Sequence, residues 1–174
     1  KTQMKFARAL VAVASLAAAM PALAGKGHVH GEGSLELVAD KEQLLISLRM
    51  PLDAAVGFER APRTDAERNA LAQAAKHLGD GAALFVPAAA AACTLAEQKV
   101  NVPHLDGKEA KAKGEHADIE ASYTFRCTQP AALNGVETTI FRHFKRLYRL
   151  DAQRVTPGGQ GSGRLTPKTP ALRW

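Results

Sequence analysis

Residues 93–127 read CTLAEQKVNVPHLDGKEAKAKGEHADIEASYTFRC, and the two ends, Cys93 and Cys127, are the only cysteines in the chain. Within this stretch Ile119, Ala121, Tyr123, Phe125 and Cys127 alternate with Asp118, Glu120, Ser122, Thr124 and Arg126. A period of two marks a half-buried strand, here with Cys127 on its apolar face. The run from Cys93 to Val102 is less regular, but Cys93 and Leu95 share a parity. Pairing the two runs as an antiparallel hairpin brings Cys93 and Cys127 together at its base and puts a polar loop with His104 and His116 at its tip. A bridge at the base closes a long loop, for which chain entropy gives about 3–4 kcal/mol.

Such a bridge needs an oxidising compartment, and the start of the chain points to one. Lys1, Lys5 and Arg8 precede a run of small or apolar residues from Ala9 to Ala19, interrupted only by Ser15. Met20-Pro21 breaks the run, and Ala22-Leu23-Ala24 is an A-x-A cleavage pattern, so residues 1–24 read as a secretory signal peptide. The run is too short for a membrane span, and no later stretch approaches one. No cysteine follows the cleavage point closely enough for a lipid anchor. Export to a bacterial periplasm favours a disulfide over two buried free thiols. Cleavage leaves 150 of the 174 residues, one domain over 25–174, with 20 basic and 17 acidic side chains and a net charge of +3.

The mature chain opens GKGHVHGEG and continues into Ser34–Ala39, where Leu35, Leu37 and Ala39 alternate with polar residues. Extended backward, the polar parity of this strand holds His28, His30 and Glu32, three neighbours on one face. Two imidazoles beside a carboxylate suit zinc, with copper as the second candidate ion; the competing reading is two solvated histidines near a terminus. Asp40-Lys41-Glu42 is a turn, and Gln43–Met50 a second strand with Leu44, Ile46, Leu48 and Met50 on one face. Residues 51–62, PLDAAVGFERAP, form a connector. Thr64-Asp65-Ala66-Glu67 is a capping box that starts a helix through Leu71, Ala74 and Leu78, ending at Gly79. His77 falls in its last turn, where the helix dipole favours a cation.

After an alanine-rich lead-in over 82–92 and the hairpin, Pro130 opens a second helical pattern, with Leu133, Val136, Ile140, Phe141 and Phe144 on one face and His143 at its border. Leu147–Val155 and Arg164–Trp174 read as two strands around a glycine-rich turn, Pro157–Gly163, the last confined to an edge by Pro167 and Pro170. The order predicts an α+β fold: a mainly antiparallel sheet built from hairpins, two packed helices and one disulfide.

Residues 142–174 carry eight basic side chains against one acid, Asp151. In an exported chain without interleaved aromatics this argues against nucleic-acid binding and for a solvated or partner-binding basic face. No nucleophile elbow, P-loop, dinucleotide fingerprint or HExxH occurs, so the chain does not read as an enzyme.

Several motifs in order carry a resemblance: HVHGEGSLELVAD at 28–40, VGFERAP at 56–62 before a capped helix, the two cysteines, IFRHF at 140–144 and QRVTPGGQGSGRLTP at 153–167. Together they resemble the ZrgA-like family of periplasmic zinc-binding proteins over nearly the whole mature chain. The resemblance implies zinc binding in the periplasm, to buffer the ion or assist its uptake by a transporter, with a periplasmic or inner-membrane uptake component as partner. It carries His28 and His30 over as ligands from the opening motif, and His104 and His116 from the loop. Two departures weaken the likeness. The loop has Lys108, Lys111 and Lys113 where the family has a dense run of histidines and acids, and Arg60 stands where a family histidine is expected. The alternative is a periplasmic adaptor of the same fold that binds no metal and uses the basic C-terminal face. Between Leu105 and Ala117 apolar residues are few, so the loop is expected to order only when His104 or His116 joins the His28–His30 pair on zinc.

Overall fold

A computed structural model describes residues 29–106 and 117–174; the expected leader, His28 and His116 lie outside them. The order is β1 (Glu32–Asp40), β2 (Gln43–Pro51), helices α1 (Leu52–Val56), α2 (Asp65–Leu78) and α3 (Gly81–Leu84), then β3 (Phe85–Pro87), β4 (Cys93–Asn101) and β5 (Asp118–Cys127). There follow β6 (Gly135–Thr138), α4 (Ile140–His143), β7 (Arg149–Thr156), β8 (Gly159–Leu165) and β9 (Ala171–Arg173). The fold is the expected α+β arrangement, with hairpin-built, mainly antiparallel sheets.

Alternation decides how the large sheet packs. Its six strands run in the order β4-β5-β2-β1-β7-β8. Leu35 and Leu37 of β1 stand opposite Leu48 and Ile46 of β2, and Ile46 and Leu44 stand opposite Tyr123 and Phe125 of β5. All are buried, so the apolar parity of three adjacent strands forms one continuous face. Leu71, Ala74 and Leu78 of α2 belong to the same core, with Phe85, Val136 and Leu172 of a second, three-stranded sheet ordered β3-β6-β9. The Tyr123 ring packs 5.1 Å from that of Phe85, and its hydroxyl donates to the Leu78 carbonyl at 2.8 Å. A buried phenol thus keeps a partner where sheet and helix meet.

Cys93 and Cys127 face each other in the β4–β5 register and are bonded. Main-chain bonds reinforce this end: Cys127 donates to Glu42 at 2.7 Å and Gln129 to Ala91 at 3.0 Å. The capping box forms as expected at Thr64, whose Oγ1 accepts from the Glu67 amide at 3.2 Å.

Three expectations are corrected. The second helix is absent as such: Pro130–Ala132 is a short 3-10 turn, residues 135–138 are β6, and only Ile140–His143 is helical. The apolar spacing from Leu133 to Phe144 mimics a helix face, but Val136 and Thr138 are buried while Glu137 between them is exposed. This β period is fixed by partners distant in sequence, β3 and β9. Thr138, the buried polar residue of this strand, donates its hydroxyl to the Leu84 carbonyl at 2.9 Å. Second, the glycine-rich segment is mostly strand: β8 starts at Gly159 and pairs with β7 from Thr156↔Gly159 to Leu150↔Leu165. Gly159, Gly161 and Gly163 alternate with Gln160, Ser162 and Arg164, so the strand carries no apolar face to mark it. Third, the final strand is divided. β8 ends at Leu165, Thr166 and Thr169 bridge a turn, and β9 crosses to the small sheet.

One pairing is parallel: β1 lies beside β7, with Glu32 opposite Arg149. Among the described residues no helix is long and apolar enough to cross a membrane.

Candidate metal centre

His30 does not continue the first strand. β1 starts at Glu32, whose amide closes a turn by donating to the Val29 carbonyl at 3.1 Å. The turn depends on Gly31, which has φ +75° and lies so close to the β7 approach that a Cβ there would sit 2.6 Å from the Arg146 carbonyl oxygen. Both the dihedral and the contact exclude other residues. The expectation that His30 and Glu32 share a strand face is therefore corrected: the Gly31 turn takes His30 out of the ladder.

The turn delivers His30 to an acidic pair. Its Nδ1 is 2.6 Å from Asp53 Oδ2 and 4.0 Å from Glu59 Oε1. Asp53 sits in the first turn of α1, which begins where β2 ends at Pro51; an acid there complements the positive end of a helix. Gly57, with φ 87°, ends α1 by donating to the Asp53 carbonyl at 2.8 Å, and the reversal brings Glu59 back beside Asp53. A Cβ at Gly57 would lie 3.1 Å from Arg146 Nε. Arg146 therefore wedges between the two turns, with its carbonyl against Gly31 and its guanidinium against Gly57.

Ligand atoms of His30, Asp53 and Glu59 all lie within 4.8 Å of one another. In a tetrahedral zinc site with bonds of about 2.0–2.1 Å the ligand atoms are roughly 3.3 Å apart, so small side-chain rotations suffice to close the set. The imidazole is largely open, with 74% of its side-chain surface exposed, whereas the carboxylates of Asp53 and Glu59 keep 22% and 18%. The hydrogen bond to Asp53, then the Asp53 charge, and to a lesser degree the Glu59 charge, raise the His30 pKa above its ordinary value. The second Asp53 oxygen, Oδ1, is buried with no hydrogen-bond partner among the described residues. A buried carboxylate oxygen without a donor is a place for a cation or a water.

The other sequence-derived ligands are placed differently. Glu32 accepts from the Tyr148 hydroxyl at 2.9 Å through Oε1 and from the Arg149 guanidinium through Oε2, a consequence of the parallel β1–β7 register. That bond raises the Tyr148 pKa. Glu32 is not part of the converging group. His104 follows β4 with φ 62°, half-buried, its Nδ1 shielded and without a partner among the described residues. Ala117 and Asp118, which follow the loop, lie where β2 runs into α1. Asp118 pairs with Pro51, and the Ala117 carbonyl accepts from the Leu52 amide at 2.8 Å. These two residues and the His30 cluster share one end of the sheet.

Sequence reasoning missed Asp53 and Glu59 as neighbours of His30, because no local pattern ties them to a histidine more than twenty residues earlier. The one available signal is acids flanking a helix-ending glycine in a short connector. Arg60, the residue standing in place of an expected histidine, turns toward α2 instead, binding Glu67 at 2.6 and 3.0 Å. Those bonds, led by the one from Arg60, hold the Glu67 carboxyl down at about 2. The basic C-terminal bias is partly absorbed within the fold. Arg149 pairs with Glu32 and Asp151, Arg164 with Asp151, and Arg154 lies over the Trp174 ring.

The family model described as "ZrgA family zinc uptake protein" matches residues 27–174, and the chain belongs to that family. Its description names zinc uptake, a transport role, and no catalysed reaction. No curated protein matches the chain.

Proposed function

We propose that the protein binds zinc in the periplasm through His30, Asp53 and Glu59, and buffers the ion or passes it to an uptake component of the cell envelope. Residues 1–24 act as the export signal, and residues 25–174 are the delivered domain, in which the oxidising compartment forms the Cys93–Cys127 bond. The observation that carries the reading is the convergence of one imidazole and two carboxylates, with Asp53 Oδ2 2.6 Å and Glu59 Oε1 4.0 Å from His30 Nδ1. Three protein ligands leave a fourth zinc position open. His28, two residues from His30, and His104 or His116 from the neighbouring loop are the groups to fill it. Asp53 and Glu59 supply the carboxylates, while Glu32 stays on Arg149. An exposed imidazole over part-buried acids suits an ion that must leave again, because a partner's ligands reach the open side first. Zinc is favoured because two oxygen donors accompany the imidazole; copper competes through the same nitrogen.

Calorimetric zinc titration of the wild type against a variant combining Asp53→Asn and Glu59→Gln tests the reading. The wild type is expected to bind in the micromolar range or tighter and the variant on the order of 10–100-fold more weakly. Binding requires His30 to lose its proton, and Asp53 raises that pKa, so affinity should start falling on acidification above the ordinary imidazole value. An unchanged isotherm in the variant, or no zinc binding in the wild type, overturns the assignment.

A further inference from the structure

A second pair of histidines meets elsewhere in the fold. His77, in the last turn of α2, and His143, at the end of α4, have ring centroids 4.3 Å apart at an interplanar angle of 31°. Phe144 packs edge-on against His77 at 6.4 Å and 90°. His77 is half-buried and His143 exposed, so the pair opens to solvent on one side. Neither residue is needed for the His30 cluster.

We infer that His77 and His143 form a second, weaker divalent-cation site of zinc or copper type, with Asp80 as its nearby anion. Two imidazoles on one ion, with bonds of about 2.0–2.1 Å, have ring centroids roughly 4.5–5 Å apart for angles between square-planar and tetrahedral. The observed spacing of 4.3 Å is slightly shorter than that range, so a small opening of the pair admits an ion. Both nitrogens come from helical residues, which limits the freedom lost on binding. Lys145 and Arg142 place positive charge beside His143, and Asp80 places negative charge there. The same surroundings make the site weak: Arg142 and Lys145 repel a cation, and Asp80, which also accepts from the Ala83 amide at 3.3 Å, offsets them only in part. The chain thus holds one histidine between carboxylates and one histidine pair among cations, two stations of unequal affinity for the same kind of ion.

The test is a zinc titration of the full protein followed by the imidazole nitrogen resonances of His77 and His143, with calorimetry in parallel. Both resonance sets should shift together in a weaker event that follows the tight one. His77→Phe keeps a ring against His143 and removes the ligating nitrogen; it should weaken that event on the order of 10²-fold, since the second imidazole no longer binds intramolecularly, and leave the tight event in place. Resonances of His77 and His143 that stay still up to saturating zinc, or a His77→Phe titration identical to wild type, mean a packing pair only and overturn the proposal. If the His30 reading fails instead, the tight event is missing while these two residues still shift.

Discussion

The two ends of the β4–β5 hairpin are held in opposite ways. At one end Cys93 and Cys127 are covalently joined, and main-chain bonds from Cys127, Thr128 and Gln129 to Glu42, Ala92 and Ala91 fasten the neighbouring segments. At the other, the ladder runs out at Asn101↔Glu120, and charged side chains take over: Arg49 binds Asp118 at 2.6 Å, and nearby His30 binds Asp53. The first end is fastened by a covalent bond and main-chain hydrogen bonds, the second by titratable side chains. On the proposed zinc-binding role, rigidity lies away from the ligands. Local opening at the ligand end then leaves the core pairing of β2 with β5 intact.

Breaking the fixed end should give the largest effect. Replacing both Cys93 and Cys127 with Ser should lower unfolding free energy by about 2–4 kcal/mol, since the bond closes a 34-residue separation. Denaturant unfolding measures this, and zinc affinity of the folded variant should stay where it was. A variant that keeps its stability but loses zinc would show that the two ends are not independent, and the comparison would fail.

The exchanging end is sharpened by Gly31→Ala. The substitution forces a positive φ on a side chain and drives a Cβ to 2.6 Å from the Arg146 carbonyl. The strain should cost about 1–3 kcal/mol, less than the disulfide. Unlike the cysteine change, it should also weaken zinc binding, because the turn that presents His30 to Asp53 must shift. Stability and affinity falling together here, and only stability falling for the cysteines, is the expected contrast. An intact isotherm for Gly31→Ala would mean that His30 is not positioned by the turn.

How far the sequence discloses this molecule depends on the reach of each interaction. β1, β2 and β5 are legible because burial on one face writes a period of two into Leu35, Leu37, Leu44, Ile46, Tyr123 and Phe125. Helix α2 is legible from Thr64 and Glu67, whose capping acts within four residues. The cysteine pairing is legible because only one is available. β6 is not, since Val136 and Thr138 answer to strands some fifty residues before and thirty-five after, and the intervening spacing happens to suit a helix. The site is half legible. His30 stands in a recognisable motif, but Asp53 and Glu59 become its neighbours only through the Gly31 and Gly57 turns closing around Arg146, a contact that no local window contains. Glu32 misleads for the same reason: its parity is right for a ligand, and the parallel strand β7 brings Arg149 to claim it.

The smallest effect concerns Arg60, which lies next to Glu59 and yet serves the helix. Its bonds to Glu67, with the Arg63 amide as a further donor at 2.5 Å, keep that carboxylate ionised down to about 2. The folded pKa is depressed, so the contribution to stability is fully present above the ordinary glutamate value and is lost as pH falls through about 2. The pair is half-exposed, so solvent screening keeps that contribution modest. Glu67→Gln should therefore flatten the part of the acid-unfolding curve between the ordinary glutamate range and about 2, leaving neutral-pH stability only slightly lower. Arg60, released in this variant, is then free to turn toward Glu59. A cation beside that carboxylate competes with zinc, so the variant's zinc affinity should drop slightly at neutral pH and recover when Arg60→Ala is added. If Glu67→Gln leaves both the acid limb and zinc binding untouched, Arg60 is not withheld from the exchanging end by the helix, and its separation from the ligand cluster has another origin.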